Sequence, residues 1–479
     1  MVVGESVSST DVCIIGAGPG GYVAAIRAAQ LGKQVVVVDK LGKEGIGGVC
    51  LHAGCIPSKA LIYAANFGTE IIEAKKMGIN AQGVTIDVVK MQAWKESVVQ
   101  QLTNGIEFLF KKHEIEFIQG AAGFENSNTV RVISEHGTQT IECKKAIIAT
   151  GSVPVELPEL KSVEAYLMDS TEALSLKAIP RETVILGAGY IAVELGIVLA
   201  KLGSKVHMVQ RSEKILSLVP DEEITNVLHK RMAELGIVIH TSSKIVEVKE
   251  GKSKAGVVIE NPHEGKLELP ADKILVAMGR TPYLEGLGLQ NTKVRLNEKG
   301  FITIDERLQT TDKNILAIGD CTGNPMLAHR AFRQGKVCAE VIAGLPAAYD
   351  NRVVPGVVFG DPEIAYVGLF ESEAIAQGMD VVVGRFPFQA LGKALATNKP
   401  RGLVKIVAEK KTQLLLGAQI IGEDAGNLIS ELALAIEMGA QLEDLAATIH
   451  PHPTMPEAIM EAAEEAMGKA IHVLGKKEK

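Results

Sequence analysis

Short apolar runs alternate with glycine-rich turns and helix-length amphipathic stretches along the first part of the chain. An apolar run at residues 11–15 enters a glycine turn at 16–21, a helical stretch follows from Tyr22, and a second apolar run covers 35–39. Strand-length runs that alternate with helix-length runs are typical of parallel sheets whose strands are connected by helices. This segment therefore predicts a β-α-β unit.

The glycines of the turn form a dinucleotide-binding fingerprint in the context that it requires. Gly16 makes the tight turn, and Gly18 lets a pyrophosphate approach the backbone at the helix N-terminus. Gly21 allows the helix to pack closely on the strand. Asp39 ends the second strand, where a carboxylate accepts hydrogen bonds from an adenosine ribose. Together these features predict a bound dinucleotide.

The same pattern recurs in the second quarter of the chain. A strand at 183–186 enters a turn with Gly187 and Gly189, a helix is expected at 193–202, and a second strand is expected at 205–210. The segments 16–39 and 187–210 are equally long. Two equal units imply two dinucleotides with different roles.

From about residue 353 the pattern changes. Strands and turns are expected at 353–368, and helical periodicity returns at 425–439 without a nucleotide fingerprint. This arrangement predicts a separate α+β domain.

Composition sets broad limits on the protein. A chain of 479 residues with 47% hydrophobic and 22% charged residues is expected to form two to four globular domains. The net charge of −7 disfavours nucleic acid as a partner. No apolar run is long enough to span a bilayer, and the first ten residues do not resemble a secretory signal, so we expect no membrane association and a cytoplasmic location.

Cys50 and Cys55 carry the most specific chemical signal, because they stand close together among glycines just before a helix-forming run. Gly54 supplies freedom for the backbone to bend, and Pro57 suits the first turn of a helix. Cys55 would then lie at a helix N-terminus, where the dipole favours a thiolate. We interpret the pair as a redox-active disulfide. A structural zinc site would need further ligands at suitable spacing, and no metal is expected.

A dinucleotide next to this pair must carry a redox ring, and FAD fits because flavin exchanges electrons with both thiolates and nicotinamides. Near the C-terminus, His450 and His452 are flanked by prolines, and Glu457 follows. A carboxylate at this spacing can orient an imidazole and raise its basicity, which predicts an acid–base unit.

The motif at 47–59, Gly-Gly-Val-Cys-Leu-His-Ala-Gly-Cys-Ile-Pro-Ser-Lys, resembles that of the pyridine nucleotide-disulfide oxidoreductases, and most closely their dihydrolipoamide dehydrogenase branch. The resemblance extends from Asp11 to about Ala463. It implies an α/β fold of the glutathione reductase type, with two Rossmann-like domains and a C-terminal α+β dimerisation domain. The implied segments are an FAD domain with the redox disulfide (1–150), an NAD(P) domain (151–279), a central segment that completes the FAD domain (280–349) and the dimerisation domain (350–479).

The resemblance also implies an activity. A flavoenzyme with one non-covalent FAD per subunit would oxidise protein-bound dihydrolipoamide through Cys50 and Cys55 and reduce NAD⁺. His452, oriented by Glu457, would serve the disulfide of the other subunit of a homodimer. The partner protein would carry the lipoyl group in a 2-oxoacid dehydrogenase, glycine-cleavage or related complex.

Further cofactor contacts follow only from the resemblance. Lys59 would lie beside the flavin and pair with Glu194, and Asp320 would contact the ribityl chain, although a plain turn residue is the alternative. Gly151 and Gly279 would mark the points where the chain crosses between domains.

The second unit departs from the pattern of that branch. Its third glycine is Ala192, and the terminal acid is replaced by Gln210, followed by Arg211, which can pair with a 2′-phosphate. NAD remains the expected cofactor and NADP the alternative. An NADPH-dependent disulfide reductase related to glutathione reductase and a non-catalytic FAD-binding interaction protein stay open as alternative functions.

Overall fold

The computed structural model describes residues 6–475, so the outermost ends of the first and last expected domains, 1–5 and 476–479, lie outside the described residues. The α-helices within this range are α1 (Pro19–Gln30), α2 (Gly48–Ala53), α3 (Cys55–Glu73), α4 (Val88–Lys112), α5 (Ser170–Ala173), α6 (Tyr190–Lys201), α7 (Glu222–Glu234), α8 (Ala328–Ile342), α9 (Glu371–Ala376), α10 (Gly392–Ala396), α11 (Ala425–Met438), α12 (Leu442–Ala447) and α13 (Glu457–Ala466).

The strands of the same range form several sheets. They are β1 (Ser6–Ile15), β2 (Val35–Asp39), β3 (Glu116–Gln119), β4 (Ala121–Asn126), β5 (Thr129–Ser134), β6 (Gly137–Ile148), β7 (Ser152–Pro154), β8 (Leu167–Met168), β9 (Glu182–Leu186), β10 (Lys205–Val209), β11 (Val238–His240), β12 (Lys244–Lys249), β13 (Ala255–Asn261), β14 (Gly265–Ala271), β15 (Lys273–Val276), β16 (Arg280–Pro282), β17 (Ile315–Ala317), β18 (Gly356–Val358), β19 (Ile364–Gly368), β20 (Val381–Pro387), β21 (Leu403–Glu409) and β22 (Leu415–Ile421).

The first sheet contains the first predicted β-α-β unit. Its strands β3, β2, β1 and β6 run parallel, β17 pairs with the end of β6, and the antiparallel strands β5 and β4 continue from the start of β6. Val12 and Ile14 of β1 pack on one face, and Cys13 and Ile15 pack on the other. Both faces are covered, which explains why these strands read as continuous apolar runs.

The second sheet contains the second unit, with parallel strands in the order β11-β10-β9-β15-β8. Helix α6 begins at Tyr190, three residues before the expected start, because the amide of Val193 already bonds to the carbonyl of Gly189. Strand β10 ends at Val209, so Gln210 follows the strand instead of ending it. An antiparallel sheet of β12, β13 and β14 adjoins this unit.

The C-terminal sheet, in the order β18-β19-β22-β21-β20, is antiparallel throughout. Helices α11 and α13 share its apolar core. This arrangement confirms the α+β character predicted for the C-terminal part and, with the mainly parallel first sheet and the parallel second sheet, the predicted fold class.

The chain crosses between the first two sheets on a short antiparallel ribbon of β7 and β16, which follow Gly151 and Gly279. Strand β17 then returns the chain to the first sheet. The division at residues 150, 279 and 349 stays a prediction. No helix within residues 6–475 combines the length and the apolar character needed to cross a membrane.

Candidate active site

The two cysteines lie on successive helices that meet at Gly54. Cys50 belongs to α2, and Cys55 is the first residue of α3. Both are free thiols, hydrogen-bonded to each other and near disulfide distance. Gly54 has φ −147°, and a Cβ there would lie 2.8 Å from the carbonyl oxygen of Val49 and 3.1 Å from Cα of Cys50. The turn therefore needs glycine for close backbone approach, not for left-handed freedom.

The two thiols differ strongly in acidity. Their mutual hydrogen bond raises the pKa of Cys50 far above its usual range, and burial adds to this rise. The same hydrogen bond lowers the pKa of Cys55 to about 7; burial opposes this shift and the Lys59 ammonium supports it. When the pair is reduced, negative charge therefore rests on Cys55 near neutral pH.

Lys59 lies one turn after Cys55 and joins three parts of the fold. Its Nζ is 2.9 Å from Oε2 of Glu194 on α6 and 4.2 Å from the ring centroid of Phe359. Oε1 of Glu194 accepts a hydrogen bond from the amide of Phe359 at 3.0 Å. The Glu194 side chain is only 5% exposed, so both of its oxygens are fixed by partners on different elements.

A cavity of about 800 Å³ extends from the first glycine turn to the cysteines. The residues singled out from the sequence that line it are Gly16, Gly18, Asp39, Cys50, Cys55, Lys59, Gly151, Glu194 and Asp320, and Tyr190 of α6 lines it as well. Gly21 instead packs against the carbonyl of Gly16, where a Cβ would come within 1.9 Å.

The shape and polarity of the cavity fit a dinucleotide. Gly16 has φ +104°, and a Cβ there would lie 2.4 Å from the carbonyl oxygen of Ala149. Gly48 has φ +63°, and its Cβ would lie 2.6 Å from Cα of Gly18. Among the described residues, Oγ1 of Thr150 is buried at the cavity wall with no hydrogen-bond partner. Backbone walls and an unpaired hydroxyl suit a large polar ligand.

Two acidic residues of this cavity, Asp39 and Asp320, are already held by the protein. Oδ2 and Oδ1 of Asp39 accept hydrogen bonds at 2.9 Å from the amides of Ala17 and Leu41. Oδ2 of Asp320 accepts one from the Ser152 hydroxyl at 2.6 Å, and Nε of Arg280 donates to that hydroxyl at 2.8 Å. The contacts of Ser152 and Arg280 were not predicted, although both residues directly follow the crossing-point glycines.

The second glycine turn is built in the same way. Gly187 has φ +107°, with a Cβ position 2.5 Å from the carbonyl oxygen of Ala277, and Gly189 caps α6. Ala192 is fully buried, and the tightest contact between helix and strand falls at Gly196, whose Cβ would lie 2.2 Å from Cε of Met208. Gly196 is thus a packing residue that the fingerprint did not indicate.

The end of β10 forms the expected adenosine edge of the second unit. Nε2 of Gln210 donates to Oγ of Ser212 at 2.5 Å. Arg211 is exposed. The nearby ammonium of Lys214 is already paired with Glu222 at 2.6 Å. An exposed guanidinium beside this edge is placed to meet an anionic ligand group.

His452 and Glu457 form the expected pair, with Nδ1 and Oε1 2.8 Å apart. The amide of Thr454 donates to Oε2 of Glu457 at 2.7 Å. Burial works against ionisation of Glu457, but these two hydrogen bonds lower its pKa overall. The His452 side chain is 78% exposed, and within residues 6–475 neither member of the pair lines the cavity. The pair therefore lies outside the cavity that contains the cysteines, with Nδ1 of His452 engaged by Glu457.

His450 has different surroundings. Its side chain is buried, with Nε2 2.9 Å from Oε1 of Glu431 and Nδ1 3.0 Å from the carbonyl of Thr448. Each histidine thus has its own carboxylate partner, and His450 stiffens the turn that carries His452.

Comparisons with known proteins cover nearly the whole chain. The family model described as pyridine nucleotide-disulphide oxidoreductase matches residues 10–335. The model for the dimerisation domain of that family matches residues 354–463.

Curated relatives of similar length agree. The chain is 45% identical over 476 residues to a dihydrolipoyl dehydrogenase of Geobacillus stearothermophilus, covering 99% of this chain and 100% of the relative. It is 46% identical over 481 residues to a dihydrolipoyl dehydrogenase of Halobacterium salinarum, with the same coverage.

Solved structures share the fold at lower identity. LpdA from Mycobacterium tuberculosis superposes with a TM-score of 0.87 at 26% identity, covering 95% of this chain and 99% of that one. The HOCl-induced flavoprotein disulfide reductase RclA from Escherichia coli superposes with a TM-score of 0.84 at 28% identity and the same coverage.

The acidity of Cys55 can be tested through Lys59. In the reduced protein, the alkylation rate of Cys55 should fall as pH drops through about 7, because the thiolate is protonated there. Lys59→Met removes the ammonium and leaves Glu194 beside the thiolate, so we expect the midpoint to rise by about one unit. Lys59→Arg keeps the charge and should stay near the wild-type midpoint. An unchanged midpoint in Lys59→Met would contradict this account.

Proposed function

Because the chain belongs to the pyridine nucleotide-disulphide oxidoreductase family, we propose that it oxidises a dihydrolipoyl group to lipoyl and reduces NAD⁺. One observation carries the proposal: the thiols of Cys50 and Cys55 lie in contact at the wall of a cavity that the first glycine turn and α6 both reach. Full-length similarity to dihydrolipoyl dehydrogenases supports the choice of substrate.

FAD and NAD are the cofactors. When bound, FAD supplies a group that takes an electron pair from the dithiol and passes it on to the nicotinamide as hydride. Gly16, Gly18 and Asp39 would hold its adenosine diphosphate part, and Asp320 its ribityl chain. Ser152 and Arg280 fix the carboxylate of Asp320 for that contact.

The protein's own groups account for the thiol chemistry. His452 takes a proton from one substrate thiol, and the resulting thiolate attacks Sγ of Cys50 in the oxidised pair. The sulfur–sulfur bond breaks, and Cys55 leaves as a thiolate. The second substrate thiol, on losing its proton, attacks the substrate sulfur bound to Cys50. This step closes the cyclic disulfide, and Cys50 leaves and takes up the proton that the second thiol has lost.

The structure supports this division of roles. The last step leaves Cys50 as a thiol and Cys55 as a thiolate. The hydrogen bond between the two sulfurs favours the same charge state. The Lys59 ammonium lies close enough to stabilise that thiolate, and Glu194 holds Lys59 in place. Glu457 holds the imidazole of His452 through Nδ1, which leaves Nε2 for the substrate proton.

A second copy of the chain completes the site. The exposed His452 lies outside its own subunit's cavity, and the C-terminal part matches a dimerisation domain. In a homodimer with two-fold symmetry, the partner's His452 would face the Cys50–Cys55 pair, and each of the two sites would use both chains.

The lipoyl group belongs to a separate carrier protein of a 2-oxoacid dehydrogenase, glycine-cleavage or related complex. The proposal also includes the division into four segments and the cytoplasmic location, both expected from the sequence.

An NADPH-dependent disulfide reductase is the second candidate. The exposed Arg211 and the amide of Gln210, in place of a carboxylate, favour this candidate because they do not repel a 2′-phosphate.

Cys55→Ser tests the redox role directly. A hydroxyl cannot form the disulfide, so dihydrolipoamide oxidation with NAD⁺ should be abolished. The long-wavelength absorbance that arises between a thiolate and bound FAD should be lost as well. Cys338→Ser changes a thiol that is buried in α8 away from the cavity, and it is the matched control. Activity retained in Cys55→Ser would refute the assignment.

A mixed dimer tests whether sites are shared between subunits. Cys55→Ser and His452→Gln chains, co-expressed with different affinity tags, should each form inactive homodimers. Their purified heterodimer should have about half the wild-type activity, because one of its sites combines intact cysteines with an intact partner histidine. If each chain used its own histidine, both sites would be defective and the heterodimer would be inactive.

Arg211→Ala tests nucleotide preference. We expect the wild type to prefer NAD⁺ and to use NADP⁺ through Arg211. Loss of one charge-assisted contact should lower kcat/KM for NADP⁺ by about tenfold, with little change for NAD⁺. Lys214→Ala, which removes a cation already paired with Glu222, is the control. Equal NADP⁺ values in the wild type and Arg211→Ala would exclude this role for Arg211.

A further inference from the structure

Helices α3 and α6 lie side by side and are joined by polar contacts at matching positions. The first contact pairs Lys59 with Glu194 at 2.9 Å. The second, seven residues later on both helices, is a 2.7 Å hydrogen bond from Nζ of Lys201 to Oδ1 of Asn66. Equal spacing in the same chain direction means that the helices run parallel. The contacts are about 10 Å apart along the axis.

A segment of the C-terminal part, residues 359–361, closes both contacts. It donates the amide of Phe359 to Glu194 at 3.0 Å and offers Oδ2 of Asp361 to Nζ of Lys201 at 2.6 Å. Each contact therefore has three members: one from α3, one from α6 and one from this segment.

Arg231 of α7 extends the second contact. Its guanidinium lies 2.9 Å from Oδ2 of Asp361 and 2.9 Å from Oε1 of Glu73 at the end of α3. The apolar residues between the helices belong to one core, which includes Ala65 of α3, Ile197 of α6 and Val358 of β18. Apolar packing alone tolerates small displacements of one helix along the other, whereas directional hydrogen bonds at a fixed spacing do not.

The Lys201 side chain is only 3% exposed, so its charge has little access to water. A buried ammonium is stable only in a geometry that supplies charge and hydrogen-bond partners together. Asn66 and Asp361 supply both partners. Displacement of α3 along α6 would break these bonds and leave the charge unpaired.

Both helices begin at the cavity. Cys55 starts α3, and Tyr190 and Ile191 at the start of α6 line the wall near the cysteines. Asn66, Lys201 and Asp361 are not among the described residues that line the cavity. Their influence on the chemistry therefore acts through the register of the two helices.

We propose that Asn66, Lys201 and Asp361 form a positioning cluster that sets the register of α3 against α6 and thereby holds Lys59 at the Cys55 thiolate. The cluster also fixes the start of α6, which lines the cavity, relative to the thiolate. This inference rests on the proposed function, because it assigns the cluster a role in that site.

Lys201→Met removes the bonds to Asn66 and Asp361, Asn66→Leu removes only the bond to Lys201, and neither residue lines the cavity among the described residues. In the dithiol-reduced holoenzyme, the pH midpoint of the thiolate–FAD absorbance and of Cys55 alkylation should move upward. The thiolate fraction at pH 7 and kcat should each fall about fivefold, with KM for dihydrolipoamide little changed. Asn66→Asp keeps an acceptor for Lys201 and should retain wild-type values.

Lys405→Met is the matched control. Lys405 is another buried lysine, 4% exposed, paired with Asp221 at 2.6 Å and Glu371 at 2.8 Å, away from α3 and α6. Its loss should lower the melting temperature and leave the thiolate midpoint unchanged. If Lys201→Met and Asn66→Leu also lowered only the melting temperature and left the thiolate midpoint unchanged, the inference would be overturned.

The two proposals fail in different ways. A wild-type protein that does not oxidise dihydrolipoamide would refute the proposed function. An active wild type whose midpoint survives in both cluster variants refutes only the positioning role. If Lys201→Met does not fold, the comparison of Asn66→Leu, which removes no charge, with Asn66→Asp tests the positioning role.

Discussion

The hydrogen bond between the thiols of Cys50 and Cys55 determines where negative charge rests in the site. It makes Cys50 a poor acid and Cys55 a good one, so the reduced pair carries one proton and one thiolate near neutral pH. This asymmetry gives each sulfur a separate task. Under the proposed function, Cys50 would react with the substrate and Cys55 would pass electrons to the acceptor. The glycine turn between α2 and α3 brings the sulfurs together, since only Gly54 allows the two backbones so close.

The rest of the site is assembled from distant parts of the chain around that thiolate. Lys59 comes from the same helix, Glu194 from the second dinucleotide unit and Phe359 from the C-terminal part. One ion pair therefore connects both dinucleotide-binding units and the C-terminal part at the reacting sulfur. The cluster at Lys201 repeats this arrangement seven residues further along the same helices. Catalytic geometry and the packing between sheets thus depend on the same contacts.

The features predicted from the sequence are those that depend on residues close together in the chain. The turns at Gly16 and Gly187 need glycine because a Cβ would strike a carbonyl, and that requirement is visible in the chain as spacing. The proximity of the two cysteines and the position of Cys55 at the start of a helix were also predicted from local sequence. The contacts from Ser152 and Arg280 to Asp320, and from Lys201 to Asn66 and Asp361, join residues far apart in the chain, and no local pattern specifies them. Asp39 shows the same limit: the fingerprint indicated a ribose contact, but not the two backbone amides that already hold its carboxylate.

The number of electrons that each subunit accepts tests the central claim most directly. If Cys50 and Cys55 form a redox disulfide beside bound FAD, an anaerobic titration should require two electron pairs per subunit for full reduction. After the first pair, a long-wavelength absorbance should appear while the flavin remains oxidised. Complete bleaching of the flavin after a single pair, with no such absorbance, would show that the cysteines take no part and would contradict the account.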